Sequence, residues 1–141
     1  MHRHLWLPSH WLGLLKRKSG STATVFLDTE FTGLDWRYPR RLISIGLVAS
    51  EKSLGEWYAE VDGWSVEDCT LWVQAHVLPL LTEPRMTRKA AAKSLRAWLA
   101  RLGSVHIASD SPIDWDLLND LLGHTLTRNV TPERLDLVPR L

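Results

Sequence analysis

Two acids at spacing i, i+2 close an apolar run in VFLDTEFTGL: Asp28 and Glu30. Side chains alternate in direction along a strand, so both carboxylates project from one face. Like charges side by side raise each other's pKa, and burial adds to the effect, so the pair is costly unless protons or cations compensate it. A divalent metal is the simplest compensation. Oxygen-only ligands favour Mg²⁺ or Mn²⁺ over Zn²⁺, and no Cys/His cluster competes, the single cysteine being Cys69. The segment SDSPIDWDLL supplies further acids, with Asp110 and Asp114 four apart and Asp116 two beyond. If the strand before Asp110 lies beside the strand carrying Asp28, their carboxyl ends share a crevice, and Asp114 completes a three-carboxylate site. The competing roles are structural: an N-cap for Asp110, a first-turn acid favoured by the helix dipole for Asp114, a turn residue for Asp28. The cap is the expectation for Asp110. For Asp28 and Glu30 the metal role is, because a buried strand has little structural use for two acids at its tip.

The elements that must position these acids read as an α/β arrangement. Residues 23–28 (ATVFLD) form a β-branched and aromatic run that predicts a buried strand, followed by the turn-rich TGLDWRYPR. Residues 41–49 predict a second strand and 56–62 a third, together an antiparallel meander. Apolar positions Leu71, Val73, Val77, Leu78, Leu80 and Leu81 predict a buried helix over 66–81, with Pro79 kinking or stopping its end. The clearest helix spans 87–102, with Thr87 as N-cap, a stripe of Ala91, Leu95, Trp98, Leu99 and Leu102, and Gly103 as the stop. A short strand at 105–109 and a helix at 113–122, started by Pro112 and ended by Gly123, complete the pattern. A strand after a helical crossover is expected to lie parallel to an earlier one. HTLTRNVTPERLDLVPRL is loop-like, with 134–138 a candidate last strand.

At 141 residues, with 45% hydrophobic and 23% charged residues, the chain has one domain's worth of polypeptide and an ordinary globular composition. Charges or prolines interrupt every apolar stretch short of the roughly 18 residues of a membrane span. One cysteine excludes an internal disulfide and suits a cytoplasmic, reducing location. The net charge of +1 hides an asymmetry: residues 1–27 carry Arg3, Lys16, Arg17 and Lys18 and no acid, which leaves −3 for the remainder. The order of charge and apolar residues is wrong for a secretory signal, so 1–22 is expected as a poorly ordered basic extension ahead of a domain at 23–141, or else a membrane-surface or nucleic-acid arm. His2, His4 and His10 lack preorganised geometry for a metal. A second basic block holds Arg85, Arg88, Lys89, Lys93, Arg96 and Arg101 with no acid between Glu83 and Asp110. It is either a solvated helix face or a phosphate-tracking surface. Tryptophan is over-represented, at eight residues, mostly expected as core or rim aromatics with base stacking as the alternative.

These residues resemble the DEDD 3'-5' exonucleases of the ribonuclease H-like superfold, and more narrowly the small bacterial and plasmid-borne 3'-5' exoribonucleases related to oligoribonuclease and RNase T. The family's first motif, an apolar strand ending in D-x-E, matches Asp28 and Glu30 in FLDTEFTGL; its next strand matches LISIGLV; its second motif matches Asp114, with Asp110 where Asn is commoner. The resemblance runs from about Ala23 to about Leu137. It implies a mixed sheet with an antiparallel meander and a parallel strand flanked by helices, and metal-dependent hydrolysis of phosphodiesters from the 3' end of single-stranded RNA or DNA. Two Mg²⁺ or Mn²⁺ ions would activate water and stabilise the leaving 3' oxygen. Asp28 would bridge both ions, Glu30 would bind one and orient water, and Asp114 would bind the other. Phe31, Thr32 and Leu34 would sit beside the terminal nucleotide, where apolar groups wedge or stack on a base. No membrane partner is implied, and a homodimer is compatible.

The chain departs from the family at its third motif, a general-base His or Tyr with an Asp five residues later, which the sequence ends without. His124 is the one candidate base. It has the neutral Asn129 five residues on, follows Asp114 by only ten, and reads more simply as a helix-end cap. His106 reads as a satisfied core residue and His76 has no motif partner. Loss of the base would cost about 10²- to 10⁴-fold in rate, so an inactive relative that binds nucleic acid without cleaving it is the first alternative. The second is a haloacid-dehalogenase-like phosphatase with Asp28 as covalent nucleophile. Glu at the second position, a hairpin in place of a helix and no well-placed Lys count against it.

Overall fold

The computed structural model describes residues 22–137; the basic extension, with His2, His4 and His10, and residue 138 of the expected last strand lie outside the described residues. Five strands form one mixed sheet: β1 (Ala23–Phe31), β2 (Leu42–Ala49), β3 (Glu56–Glu60), β4 (Val105–Ser109) and β5 (Leu135–Asp136). Their order is β3-β2-β1-β4-β5, with β1, β2 and β3 antiparallel and β4 and β5 parallel to their neighbours. The α-helices are α1 (Leu71–His76), α2 (Arg88–Ala100) and α3 (Pro112–Leu121). This is the expected α/β layout of an antiparallel meander extended by a parallel crossover. Among the described residues no helix is long and apolar enough to cross a membrane.

Alternation along β1 sorts its side chains. Val25 and Leu27 face the larger core with Ile45 and Leu47, against Leu95 and Leu99 of α2 and Leu118 of α3. Phe26, Asp28 and Glu30 face the other side. The parity of β2 changes at its start, where the register jumps from Glu30↔Ser44 to Phe31↔Leu42 and leaves Ile43 without an opposite number. This bulge sends Leu42 into the larger core and Ile43 into a second cluster with Trp64, Cys69, Val73 and Val77. Bulges bend a strand and re-aim its side chains, and this one sits opposite Glu30.

The helix expected over 66–81 is three short pieces instead. Ser65 and Asp68 cap a 3-10 turn over Val66–Asp68 reciprocally, Asp68 accepting from the Ser65 N–H at 2.9 Å. Cys69 is extended, and Thr70 starts α1 afresh by accepting from the Val73 N–H. Pro79 lies in the first positions of a second 3-10 turn, Leu78–Leu80, where its missing N–H breaks no bond. Two capping residues in quick succession override an apolar period that runs through them. α2 follows expectation: Thr87 accepts from the Ala90 N–H at 3.1 Å, and Gly103 supplies the left-handed residue (φ 72°) after its end.

Candidate functional site

β1 is longer than the apolar run foretold. Its ladder with β4 stops at Phe26↔Ala108 while its ladder with β2 continues to Phe31, so Leu27 to Phe31 project past their parallel neighbour. Asp28 and Glu30 therefore lie within the strand rather than at its tip, on the stretch that β4 has left. The chain leaving β4 turns at once into α3. Ser111 caps it, its hydroxyl accepting from the Ile113 N–H at 3.1 Å, and Pro112 is at the helix start. Asp110 is exposed and does not cap the helix, contrary to expectation; Ser111, one residue closer, has the shorter reach to the first-turn N–H groups. Asp114, in the first turn, is only 4% exposed, and its Oδ1 accepts a 2.5 Å hydrogen bond from the Thr29 hydroxyl. The helix acid thus meets the first strand between Asp28 and Glu30.

The electrostatics of this crevice follow from crowding. Burial pushes the Asp28 carboxyl up to about 7, and the charges of Asp114, Glu30 and Asp110 add to it. Burial likewise pushes Asp114 up to about 6, with Asp110 and Glu30 contributing, although the Thr29 hydrogen bond pulls it down. Asp110 therefore acts on the crevice through its charge.

The donor set is all oxygen, the chemistry of Mg²⁺ or Mn²⁺. Among the described residues no three His, Cys, Asp or Glu side chains form a ready-made metal cage. Mg²⁺ is commonly held by one or two carboxylates plus water and substrate phosphate rather than by an all-protein cage. Carboxylates crowded enough to retain protons near neutral pH fit such a cation, which would relieve their repulsion.

Beside Glu30 lies a cleft of about 400 Å³, with walls that include Phe31, Gly33, Leu34, Trp72 and Val73. Leu34 is 68% exposed and Trp72 64%, so both present apolar surface to the opening. Thr32 differs from its expected place beside a nucleotide: it is wholly buried, its hydroxyl donating to the Pro39 carbonyl at 2.7 Å and accepting from the Arg41 N–H at 3.0 Å. Its work is to close the base of the loop that carries Leu34. Trp72 was not legible as a cleft residue. It falls off the apolar stripe of its segment, and that offset is the one sequence signal that separates it from the core.

The histidines stand apart from this crevice. His124 occurs in the left-handed region (φ 60°), its N–H donating to the Asn119 carbonyl at 2.7 Å, at the opposite end of α3 from Asp114. Leu121 lies seven positions after Asp114 on the helix, roughly 10 Å at 1.5 Å per residue, so His124 is a helix-end cap. His106 differs from the satisfied core residue expected, its buried Nε2 having no hydrogen-bond partner. The basic block lies largely on α2. Arg88 pairs with Asp120 at 3.0 Å and Arg96 donates to the Leu122 carbonyl, while Lys89, Lys93 and Arg101 form no ion pair with a described residue.

No protein-family model matches the sequence, nor does any curated protein.

Proposed function

We propose that this chain is a metal-dependent 3'-5' exonuclease of the DEDD type on a ribonuclease H-like fold, acting on the 3' end of single-stranded RNA or DNA in the cytoplasm. The observation that carries this reading is the convergence of Asp28, Glu30 and Asp114. The first two are separated from the third by more than eighty residues, yet the Thr29–Asp114 hydrogen bond seats the helix acid against the strand residue between them, and each of Asp28 and Asp114 feels the charge of Glu30. The order and pairing of the five strands are compatible with the fold, and the apolar cleft beside Glu30 suits an unpaired base.

When bound, Mg²⁺ or Mn²⁺ ions would activate the attacking water and stabilise the departing 3' oxygen. Asp28, Glu30 and Asp114 would hold them. The residues' own tasks are distinct. Thr29 fixes Asp114 by donating to its Oδ1, Leu34 and Trp72 flank the terminal nucleotide, and Phe31 closes the floor of the cleft between them. His124 takes no part. With no side-chain general base at the crevice among the described residues, the rate falls by about 10²- to 10⁴-fold against a site that has one, so hydrolysis is slow.

A 5'-labelled single-stranded oligoribonucleotide incubated with the protein and Mn²⁺ shortens progressively from its 3' end, and Asp28→Ala abolishes the ladder. A parent protein that binds the strand without shortening it identifies a nucleic-acid-binding relative and overturns the exonuclease reading.

A further inference from the structure

Trp36 is 90% exposed, so nearly all of a large apolar ring stands in water. It is not there through laxity of the chain. Asp35 accepts from the Arg37 side chain at both carboxylate oxygens, Nε at 3.0 Å and Nη2 at 2.7 Å, and also from the Arg37 backbone N–H at 3.0 Å. The Tyr38 N–H donates to the Asp35 carbonyl at 3.0 Å, which closes a turn with Trp36 at its crest. Below it, the buried Thr32 hydroxyl ties the two ends of the loop together through Pro39 and Arg41. The backbone that carries the indole is thus preorganised, and a preorganised turn loses little freedom when a ligand covers its ring.

The neighbours of Trp36 define the chemistry of that ligand. Tyr38 is exposed, and the Arg40 guanidinium lies 5.9 Å from the Phe31 ring centre, without an ion pair to any described residue. Aromatic faces interleaved with cations suit unpaired nucleotides, whose bases stack and whose phosphates carry charge. Position adds the direction. Leu34 and Asp35 line the cleft beside Glu30, and Trp36 is the next residue along the chain.

We propose that Trp36, at the crest of the 35–38 turn and with Tyr38 and Arg40 following it in the same loop, is a stacking platform for a nucleotide upstream of the 3'-terminal one. The protein therefore grips strands longer than its cleft holds. This rests on the nuclease reading above and adds a length preference that the three acids do not supply.

The test compares binding of fluorescein-labelled di- and pentaadenylate to the parent, Trp36→Ala and Trp36→Phe, by anisotropy with Ca²⁺ in place of Mg²⁺ or Mn²⁺. The parent binds the pentamer more tightly than the dimer. Trp36→Ala loses about 5- to 100-fold of pentamer affinity, the range of one base–aromatic stack, and with it most of the length preference; Trp36→Phe restores the greater part. Pentamer affinity unchanged in Trp36→Ala overturns the platform and leaves the nuclease reading standing if the parent still shortens labelled RNA. A Phe variant as weak as the Ala variant overturns stacking as the cause. A parent that binds neither oligonucleotide overturns both proposals together.

Discussion

The Thr29 hydroxyl donates to Asp114 Oδ1 across 2.5 Å, tying the middle residue of Asp28-Thr29-Glu30 to the first turn of α3. The bond is buried and charge-assisted, the short and strong kind. It holds Asp114 against the repulsion of the neighbouring acids, and it explains why a hydroxyl residue stands between two carboxylates on the strand: Thr29 points to the helix layer while Asp28 and Glu30 point away from it.

Thr29→Val keeps the shape of the side chain and removes the donor. Asp114 then loses the one interaction that lowers its pKa by a side-chain hydrogen bond. Stability is expected to fall by about 1 to 3 kcal/mol, the cost of an unsatisfied buried group. The Mn²⁺ concentration for half-maximal hydrolysis is expected to rise roughly 10- to 100-fold, as for other residues that orient a metal ligand. Thr29→Ser should behave as the parent in both. Equal Mn²⁺ dependence of parent and Thr29→Val would remove Thr29 from the site.

The raised carboxyls fix the sign of a pH effect. Asp28 stands at about 7 and Asp114 at about 6, both above the ordinary 3.8. Between about pH 4 and pH 7 the folded protein therefore binds more protons than the unfolded chain, so these groups favour the fold most below pH 4 and progressively less as pH rises to about 7. Asp28→Asn removes the charge that burial penalises. At pH 4 to 5 it should unfold with nearly the parent's stability, and at pH 8 without divalent ions it should be more stable, by on the order of 2 kcal/mol. Thermal unfolding across pH measures the difference; a variant less stable than the parent at pH 8 would contradict the crowding described here. Activity of the parent should run the other way and rise through pH 6 to 7 as the same groups lose their protons.

A cation that fits the crevice stabilises the fold by mass action. Mn²⁺ at about a hundred times its dissociation constant should add about 2.7 kcal/mol at pH 8. The increment should shrink sharply in Asp28→Asn and Asp114→Asn, which leave the surface and helices intact. Calorimetry of the parent with and without Mn²⁺ decides the matter, and an equal increment in the parent and both variants would move the cation elsewhere on the protein.

Much of this was readable from residue types alone. The apolar run before Asp28, the Thr87 cap and the Gly103 stop each act locally, so the strand start, helix start and helix stop fell where the pattern puts them, while the strand itself ran on to Phe31 along its pairing with β2. The segment 66–81 was not readable in the same way. Its apolar spacing suits one helix, and the successive caps Ser65 and Thr70, with Pro79 opening a further turn, break it into three. The cleft suffered most, because Trp72 takes its place from that break. Asp110 shows the complementary limit: the cap is Ser111, one residue later than expected, and which of the two turns toward the helix is a matter of one residue's backbone direction.

Gly33 links loop, helix and cleft. Its φ of 144° is one that side-chain-bearing residues rarely adopt, and a Cβ there would collide with Thr70 Cγ2. Thr70 caps α1, whose Trp72 and Val73 form the far wall of the cleft, and its N–H donates to the Thr32 carbonyl at 2.9 Å. Gly33→Ala is therefore expected to cost about 2 to 4 kcal/mol, backbone strain and overpacking together. Adding Thr70→Ser removes the colliding methyl while keeping the capping hydroxyl, and should recover the overpacking part, about half, with the strain remaining. A double-mutant cycle in urea separates the two contributions. Additive effects of the two substitutions would mean that Gly33 and Thr70 do not pack against each other, and the cleft wall would then owe its place to something other than this contact.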